Sequence, residues 1–396
     1  MAATTNSIPQ DGRFTRLRQS ALSAERVSGL THCHYKYPAR FSPKFVATAI
    51  DCFSEVGNVV LDPYMGGGTT ILEALANDRI AIGCDINSLA VFVARVKTTE
   101  LDASAVTEVR TWATQIVPAL SYRDQMVALH ELHEVQTQNL HIPRARALKK
   151  LIALALAAID QMHSPKAREF ARCAVLNVSQ WALNGRKQST SLSEFRSRLV
   201  LTTLEMLSAS ERFQDAVYRR PSNATEPILI HDSAENISAH AAFSGTKRAD
   251  LVVTSPPYPG VHVLYHRWQV DGRRETSAPY WIANCLDGQG SAYYNFGTRH
   301  QDGHHDYFAA SLRTLRAIRA VMKDGGVIVQ MIAFSDTESQ LRRYLQNMEL
   351  AGFSELRASD RRASRIWRDV PNRSWHATLQ GRTKSSREVV LVHVAD

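Results

Sequence analysis

Val59-Val60-Leu61-Asp62-Pro63-Tyr64-Met65-Gly66-Gly67-Gly68-Thr69-Thr70 is the stretch that decides the fold of this chain. Three apolar residues end in a carboxylate, a glycine run follows, and two threonines open an apolar segment that reaches about Asn77. The first part reads as a buried strand, because short apolar runs bounded by turn residues belong inside parallel sheets. The last part reads as a helix with hydroxyl side chains at its N-terminus. Between them, Gly66 to Gly68 let the backbone turn tightly and come close to a ligand. No lysine follows the glycines, so the loop is not a phosphate-cradling P-loop.

Working outward, the same alternation repeats. Residues 44–53 read as a short helix ending before Gly57, Arg79 to Cys84 as a strand ending at Asp85, and Ser88 to about Lys97 as a helix. Strands and helices alternating at this spacing imply βαβ units, hence an α/β protein with a mostly parallel twisted sheet and helices on both faces. From about residue 100 to 222 the strand signal vanishes. The segments 103–120, 145–162, 166–183 and 191–217 carry apolar residues three and four apart, which marks a large helical insertion closed by Pro221-Ser222-Asn223. Ile228-Leu229-Ile230 and Leu251-Val252-Val253 then resume the strands. Residues 259–305, rich in aromatic, Gly and His residues, read as loop. A helix at 306–322 leads through Asp324-Gly325-Gly326 into a strand from Val327 to Ile332, followed by a helix at 336–350. Segments near 353–358 and 388–394 read as an antiparallel hairpin at the sheet edge, with an arginine-dense loop, 361–382, between them. The expected organisation is an irregular arm over 1–30, an α/β domain made of 31–99 and 223–396, and the helical insertion 100–222.

Composition narrows the classes. At 396 residues and 44% hydrophobic the chain has material for a sizeable core. No apolar run approaches the roughly 18–20 residues that span a membrane, and no apolar segment near Met1 reads as a secretory signal. The five cysteines, Cys33, Cys52, Cys84, Cys173 and Cys285, stand singly, which argues against a disulfide framework or a structural zinc site and fits a reducing cytosol. His32-Cys33-His34 and His304-His305-Asp306 are short clusters without a matching second half, so no metal is expected. A formal net charge of +9 favours a polyanionic partner.

Two strand-end loops carry the chemistry. Asp62 sits at a strand's carboxyl end beside a helix N-terminus able to receive a carboxylate. Asp85 ends the next strand about 20 residues on, where a carboxylate binds ribose hydroxyls. Together they read as a nucleoside-cofactor site. Asp232 ends the third strand and is either an acceptor for an adenine amino group or an ordinary turn residue before Ser233. The second loop is Thr254-Ser255-Pro256-Pro257-Tyr258. The prolines have no N–H, which leaves carbonyls as acceptors on a pre-organised backbone. The Ser255 hydroxyl and the carbonyl between the prolines suit an exocyclic amine, whose nitrogen they would pyramidalise for attack on a neighbouring methyl. Tyr258 suits stacking on a base turned out of its helix. Read alone, the same residues also fit a Pro-Pro turn with a buried tyrosine.

These motifs resemble the S-adenosylmethionine-dependent DNA amino-methyltransferases, which modify cytosine N4 or adenine N6. DPYMGGGTT is similar to their cofactor loop, with Tyr64 where Phe is usual, and the resemblance gives Asp62, Tyr64, Gly66, Gly68, Thr69 and Thr70 to the cofactor. CDINSLA resembles their second acidic motif, with Asp85 in the ribose role and Asn87 beside it, and Asp232 follows in their order. TSPPY is similar to their catalytic tetrad, here Ser255, Pro256, Pro257 and Tyr258. Serine in first place is commoner in cytosine-N4 enzymes, and Asp or Asn in adenine-N6 enzymes. Pro38-Ala39-Arg40-Phe41-Ser42-Pro43-Lys44 looks like the segment that packs over the cofactor, with Phe41 near the adenosine.

The resemblance covers about 32–97 and 228–394. It implies a Rossmann-like class I methyltransferase fold, S-adenosyl-L-methionine as cofactor and double-stranded DNA as substrate. The expected reaction is direct methyl transfer to cytosine N4 after base flipping. It further implies a prokaryotic restriction-modification or defence system, a cytoplasmic, nucleoid-associated location, and a cognate restriction endonuclease as candidate partner. The insertion matches no particular target-recognition domain and stands as a candidate DNA-recognition element. The absence of a Pro-Cys dipeptide excludes the nucleophile of cytosine-C5 methylation.

Three alternatives accompany this reading: an adenine-N6 DNA methyltransferase, an RNA guanine-N2 methyltransferase, and a non-catalytic nucleic-acid-binding scaffold. The guanine-N2 enzymes usually bear Asn or Asp where Ser255 stands. Candidate DNA contacts are Arg361, Arg362, Arg365, Arg368 and Arg373 with Trp367 and Trp375, the loop Tyr265-His266-Arg267-Trp268, and Arg144, Arg146, Lys149 and Lys150 of the insertion. Trp268, Tyr280 and Trp281 are candidates either for the wall of a flipped-base pocket or for core packing.

Overall fold

The computed structural model describes residues 12–25, 27–38, 40–121, 123, 136–186, 188–217, 226–259, 267–270, 274–286, 301–334, 336–356, 365–369 and 387–396. In chain order, α1 (Arg13–Ala21) and α2 (Pro43–Phe53) precede the alternating units β1 (Val59–Asp62), α3 (Thr69–Ala76), β2 (Ile80–Asp85) and α4 (Ser88–Thr98). The insertion follows as α5 (Ala103–Thr111), a π-helical turn leading into α6 (Val117–Ala119), then α7 (Pro143–Ile159), α8 (Pro165–Leu183) and α9 (Leu192–Val217). The chain returns to the sheet with β3 (Ile228–His231) and β4 (Ala249–Thr254). It then forms β5 (Trp268–Val270), β6 (Arg274–Thr276), α10 (Ala278–Ala283) and α11 (Gln301–Ala320). It closes with β7 (Met322–Ala333), α12 (Thr337–Leu350), β8 (Phe353–Glu355), β9 (Ile366–Asp369) and β10 (Arg387–Ala395).

The main sheet has the order β3-β2-β1-β4-β7-β10-β8, and β9 also pairs with β10. The pairs among β3, β2, β1, β4 and β7 are parallel, whereas β10 runs antiparallel to β7, β8 and β9. This is the doubly wound, mostly parallel, Rossmann-like topology that the alternation of strands and helices implies. Strand residues alternate between two buried faces, as the two-residue period demands. Val59, Leu61, Ile82, Val252 and Ile328 join α11 and α12 on one face; Val60, Ala81, Leu251, Val253 and Val329 join α2 and α3 on the other. Both faces being apolar explains why these strands read as continuous hydrophobic runs.

The insertion does not form a core of its own. Its Val109, Trp112, Leu151, Phe170 and Phe195 share one cluster with Leu89 and Phe92 of α4 and with Trp268, Tyr280 and Trp281. Three of its helices begin at side-chain caps: Asp102 accepts from the Ala105 N–H, Ser164 from the Ala167 N–H and Ser191 from the Glu194 N–H.

Four parts of the chain differ from the expectation. Residues 13–21, expected in an irregular arm, form α1, because Leu17 and Ala21 bury against the sheet's α2 side. The segment expected as loop from 259 contains the hairpin β5–β6 and α10, which are stabilised by burial against the distant insertion rather than by local pattern. β7 begins at Met322, so Asp324-Gly325-Gly326 lies within the strand rather than before it. β10 is not half of an edge hairpin: it lies between β7 and β8 and buries Val389 to Val392 on both faces. No helix among the described residues is long and apolar enough to cross a membrane.

Candidate active site

The carboxyl ends of β1, β2 and β4 converge at one edge of the sheet, where open α/β folds bind ligands. The cleft there is lined by Asp62, Tyr64, Met65, Gly66, Gly67 and Thr69 after β1, and by Asp85, Ile86 and Asn87 after β2. Tyr37, Pro38, Arg40 and Phe41 close it from the segment before α2. Ser233 and Ala234 follow β3, and Ser255, Pro256 and Pro257 follow β4. These residues enclose one concave, solvent-open cleft whose lining is mostly apolar with a few convergent polar groups.

Asp85 is both a clip and an available acceptor. Its Oδ2 accepts the Gly66 N–H at 2.8 Å and its Oδ1 the Asn87 N–H at 2.8 Å. A carboxylate offers about four lone-pair sites, so one on each oxygen remains for ligand hydroxyls. Burial pushes its pKa up to about 6, opposed by the two N–H bonds. Asp62 is also pushed up to about 6 by burial, with the Thr254 hydroxyl the strongest opposing bond. Its Oδ1 accepts from Thr254 Oγ1 at 2.7 Å and from the Tyr64 N–H at 3.1 Å. Asp62 therefore ties the glycine loop to the strand that carries Ser255.

The glycine loop is built from below. Gly66 and Gly68 take φ of +46° and +76°, and a Cβ on Gly68 would stand 3.0 Å from that of Ala94. A Cβ on Gly67 would come within 2.6 Å of Tyr37 Cβ. Lys97, fully buried on α4, donates to the Gly67 carbonyl at 2.7 Å, and burial pushes its pKa down to about 8. Asn87 is spent on the frame. Its Oδ1 accepts from the Leu89 N–H and from Tyr280 Oη, and its Nδ2 donates to Tyr37 Oη.

At the other end, Ser255 Oγ lies 3.0 Å from the Met331 carbonyl and 3.2 Å from Tyr258 Oη. Tyr258 Oη donates to Glu388 Oε1 at 2.9 Å, and Arg368 Nε donates to Glu388 Oε2 at 2.7 Å. Tyr307 Oη donates to the Pro257 carbonyl at 2.8 Å, which holds the proline pair from behind. Among the described residues no hydrogen-bond donor reaches the Pro256 carbonyl, the acceptor between the prolines.

Of the residues singled out in the sequence, Phe41, Asp62, Tyr64, Gly66, Thr69, Asp85, Asn87, Ser255, Pro256 and Pro257 share this one cleft. Four others lie beside it. Gly68 shapes the turn, and Thr70 donates to the Val253 carbonyl at 3.2 Å. Asp232 accepts from the Ser233 N–H and from Asn236 Nδ2. Tyr258 turns its hydroxyl toward Glu388. Tyr37, Arg40, Gly67, Ile86, Ser233 and Ala234 line the cleft without having been singled out. Arg40 and Gly67 lay inside the quoted motifs, whereas Lys97 looks from sequence like any lysine ending a helix.

Trp268, Tyr280 and Trp281 are core residues. Arg365 is paired with Glu355, and Arg368 with Glu388. Arg361, Arg362, Arg373, Trp375, Tyr265 and His266, and the side chains of Arg144, His304 and His305, lie outside the described residues. No group of three or more side chains able to hold a metal is present among the described residues.

Residues 13–94 match the N6/N4 DNA methylase family. The type II methyltransferase M.MvaI of Kocuria varians is 25% identical over 253 residues, which cover 58% of this chain and 53% of that protein. The type II methyltransferase M.MjaII of Methanocaldococcus jannaschii is 30% identical over 81 residues, 20% of this chain and 15% of that protein. The chain thus spans about half the length of the first relative and less of the second. Among solved structures, the rRNA methyltransferase aviRa of Streptomyces viridochromogenes aligns with 98% of this chain and 94% of its own. Its TM-score is 0.38 at 11% identity, too distant a likeness to carry an argument. With its glycine loop and its Asp85 strand end, the chain is similar to the DNA amino-methyltransferases over the matched segment 13–94.

Proposed function

We propose that this chain transfers a methyl group from S-adenosyl-L-methionine, the cofactor of the family it resembles, to the exocyclic N4 amine of cytosine in duplex DNA. The observation that carries the proposal is the shared cleft: Asp85 and the glycine loop line one end, and Ser255, Pro256 and Pro257 the other.

The residues present fit the cofactor. Asp85 keeps a lone pair on each oxygen for a pair of adjacent hydroxyls. Phe41 and Tyr64 offer apolar faces for the adenine. The N-terminus of α3 has no acidic residue in its first turn and suits a carboxylate. Arg40 also lines this cleft; its guanidinium donates to the His32 carbonyl at 3.3 Å, and no carboxylate pairs with it among the described residues. Bound there, the cofactor supplies an electrophilic methyl. The protein supplies position and desolvation: Ser255 Oγ and the Pro256 carbonyl accept from the amine, hold its nitrogen pyramidal and orient its lone pair. The prolines fix that edge without offering a competing N–H.

A restriction-modification setting, with a cognate endonuclease as partner, is supported by the relatives' being type II methyltransferases. The test is transfer of radiolabelled methyl from S-adenosyl-L-methionine by the purified chain to duplex DNA and, separately, to structured RNA. Label in cytosine of DNA is expected, and Tyr258→Ala should abolish it while cofactor affinity stays. Label in adenine would overturn the assignment drawn from Ser255. Label confined to RNA, or none, would overturn the proposal.

A further inference from the structure

We propose that Glu388 is a positioning residue of this site: its carboxylate sets the direction of a hydrogen-bond chain through Tyr258, so that Ser255 meets the substrate only as an acceptor. This rests on the proposed function and names what selects an amine within it.

Glu388, second residue of β10, lies directly opposite Arg368 of β9, and Arg368 Nε donates to its Oε2 at 2.7 Å. Arg368 is itself held by a bond to the Ala21 carbonyl. A carboxylate against a guanidinium accepts and does not donate. The one proton of Tyr258 Oη therefore goes to Glu388 Oε1, 2.9 Å away, and the phenol oxygen is left as an acceptor. Among the described residues Ser255 Oγ then has two hydrogen-bond neighbours, Tyr258 Oη at 3.2 Å and the Met331 carbonyl at 3.0 Å, and both only accept. Whichever takes the single hydroxyl proton, none remains for the cleft. Ser255 presents lone pairs there, next to two prolines that have no N–H.

That edge binds a group with N–H donors and opposes a keto oxygen. Where adenine-N6 enzymes use a carboxylate or amide in first place, this chain has a serine made acceptor-only by a carboxylate 133 positions further on. Without Glu388 the phenol proton is free to turn toward Ser255, whose own proton can then face the substrate amine.

Glu388→Gln, Tyr258→Phe and the double variant test this, read by kcat and KM for duplex DNA and by calorimetric binding of S-adenosylhomocysteine. Glu388→Gln keeps size but brings an amide that can donate to Tyr258. Its kcat should fall about tenfold or more, the worth of one hydrogen bond to a charged group. KM and the S-adenosylhomocysteine Kd should not move. Tyr258→Phe keeps the ring and removes the link, and adding Glu388→Gln to it should cost little more. A wild-type kcat in Glu388→Gln, losses that multiply in the double variant, or an equal loss of cofactor binding would overturn the proposal while leaving the methyltransferase reading in place. A wild-type chain that transfers no methyl to DNA would overturn both.

Discussion

Removing the Asp85 carboxylate separates its two jobs. In Asp85→Asn one oxygen remains to accept an N–H, but the amide places a donor against either the Gly66 or the Asn87 N–H, each now 2.8 Å from an acceptor. One acceptor for a ligand hydroxyl goes with it. Stranding hydrogen-bond partners of this kind costs about 1–3 kcal/mol, so S-adenosylhomocysteine should bind about 5- to 150-fold more weakly. Asp85→Ala orphans both N–H groups and should lower unfolding stability as well, by about 1–3 kcal/mol for each that water does not satisfy. The pH dependence carries the sign. Burial raises Asp85 to about 6 in the free protein, and only the ionised form accepts from two hydroxyls. Affinity should therefore rise as pH increases through about 6 and level off above it, and the rise should vanish in Asp85→Asn. Isothermal titration of S-adenosylhomocysteine between pH 5 and 8 measures both. An unchanged Kd in Asp85→Asn, or a wild-type affinity that falls across that range, would refute the role of Asp85.

Three further outcomes follow from the same geometry. Gly67→Ala should destabilise the protein by about 1–3 kcal/mol in denaturant titration and weaken cofactor binding, because the new Cβ would meet Tyr37 Cβ at 2.6 Å. Thr254→Val keeps the shape but removes a 2.7 Å bond to buried Asp62, so chemical denaturation should show a loss of about 1–3 kcal/mol. Arg40→Met should weaken S-adenosylhomocysteine binding about tenfold or more, the worth of about 1.5–3 kcal/mol for a bond to a charged group. It should leave methylthioadenosine, which lacks the carboxylate, unaffected, and equal loss for both ligands would exclude a carboxylate contact.

The parts of the fold that were legible are those whose pattern is local. β1, α3, β2 and α4 could be read because each buried strand ends at a carboxylate, α3 opens directly after the glycine run and α4 opens on its Asn87 cap. The insertion's helices were equally legible from their spacing. β5, β6 and α10 were not, since Trp268, Val270 and Tyr280 bury against α8 and its neighbours, a partner far away in the chain. β10 could not be placed between β7 and β8 because an apolar strand does not declare which neighbours it will have. In the site, the glycines, Asp62, Asp85 and Ser255 were visible as motifs. Lys97 and Glu388 were not, for a charged side chain shows its role only when the loop above it, or the tyrosine 130 residues away, is in place.

The most direct measurement is the modified-nucleoside content of DNA from cells that express this chain and lack other methylases, digested and resolved by mass spectrometry. N4-methylcytosine is the predicted product. N6-methyladenine in its place would keep the cleft and the transfer chemistry but contradict the reading of Ser255, and DNA with neither base would contradict the central claim.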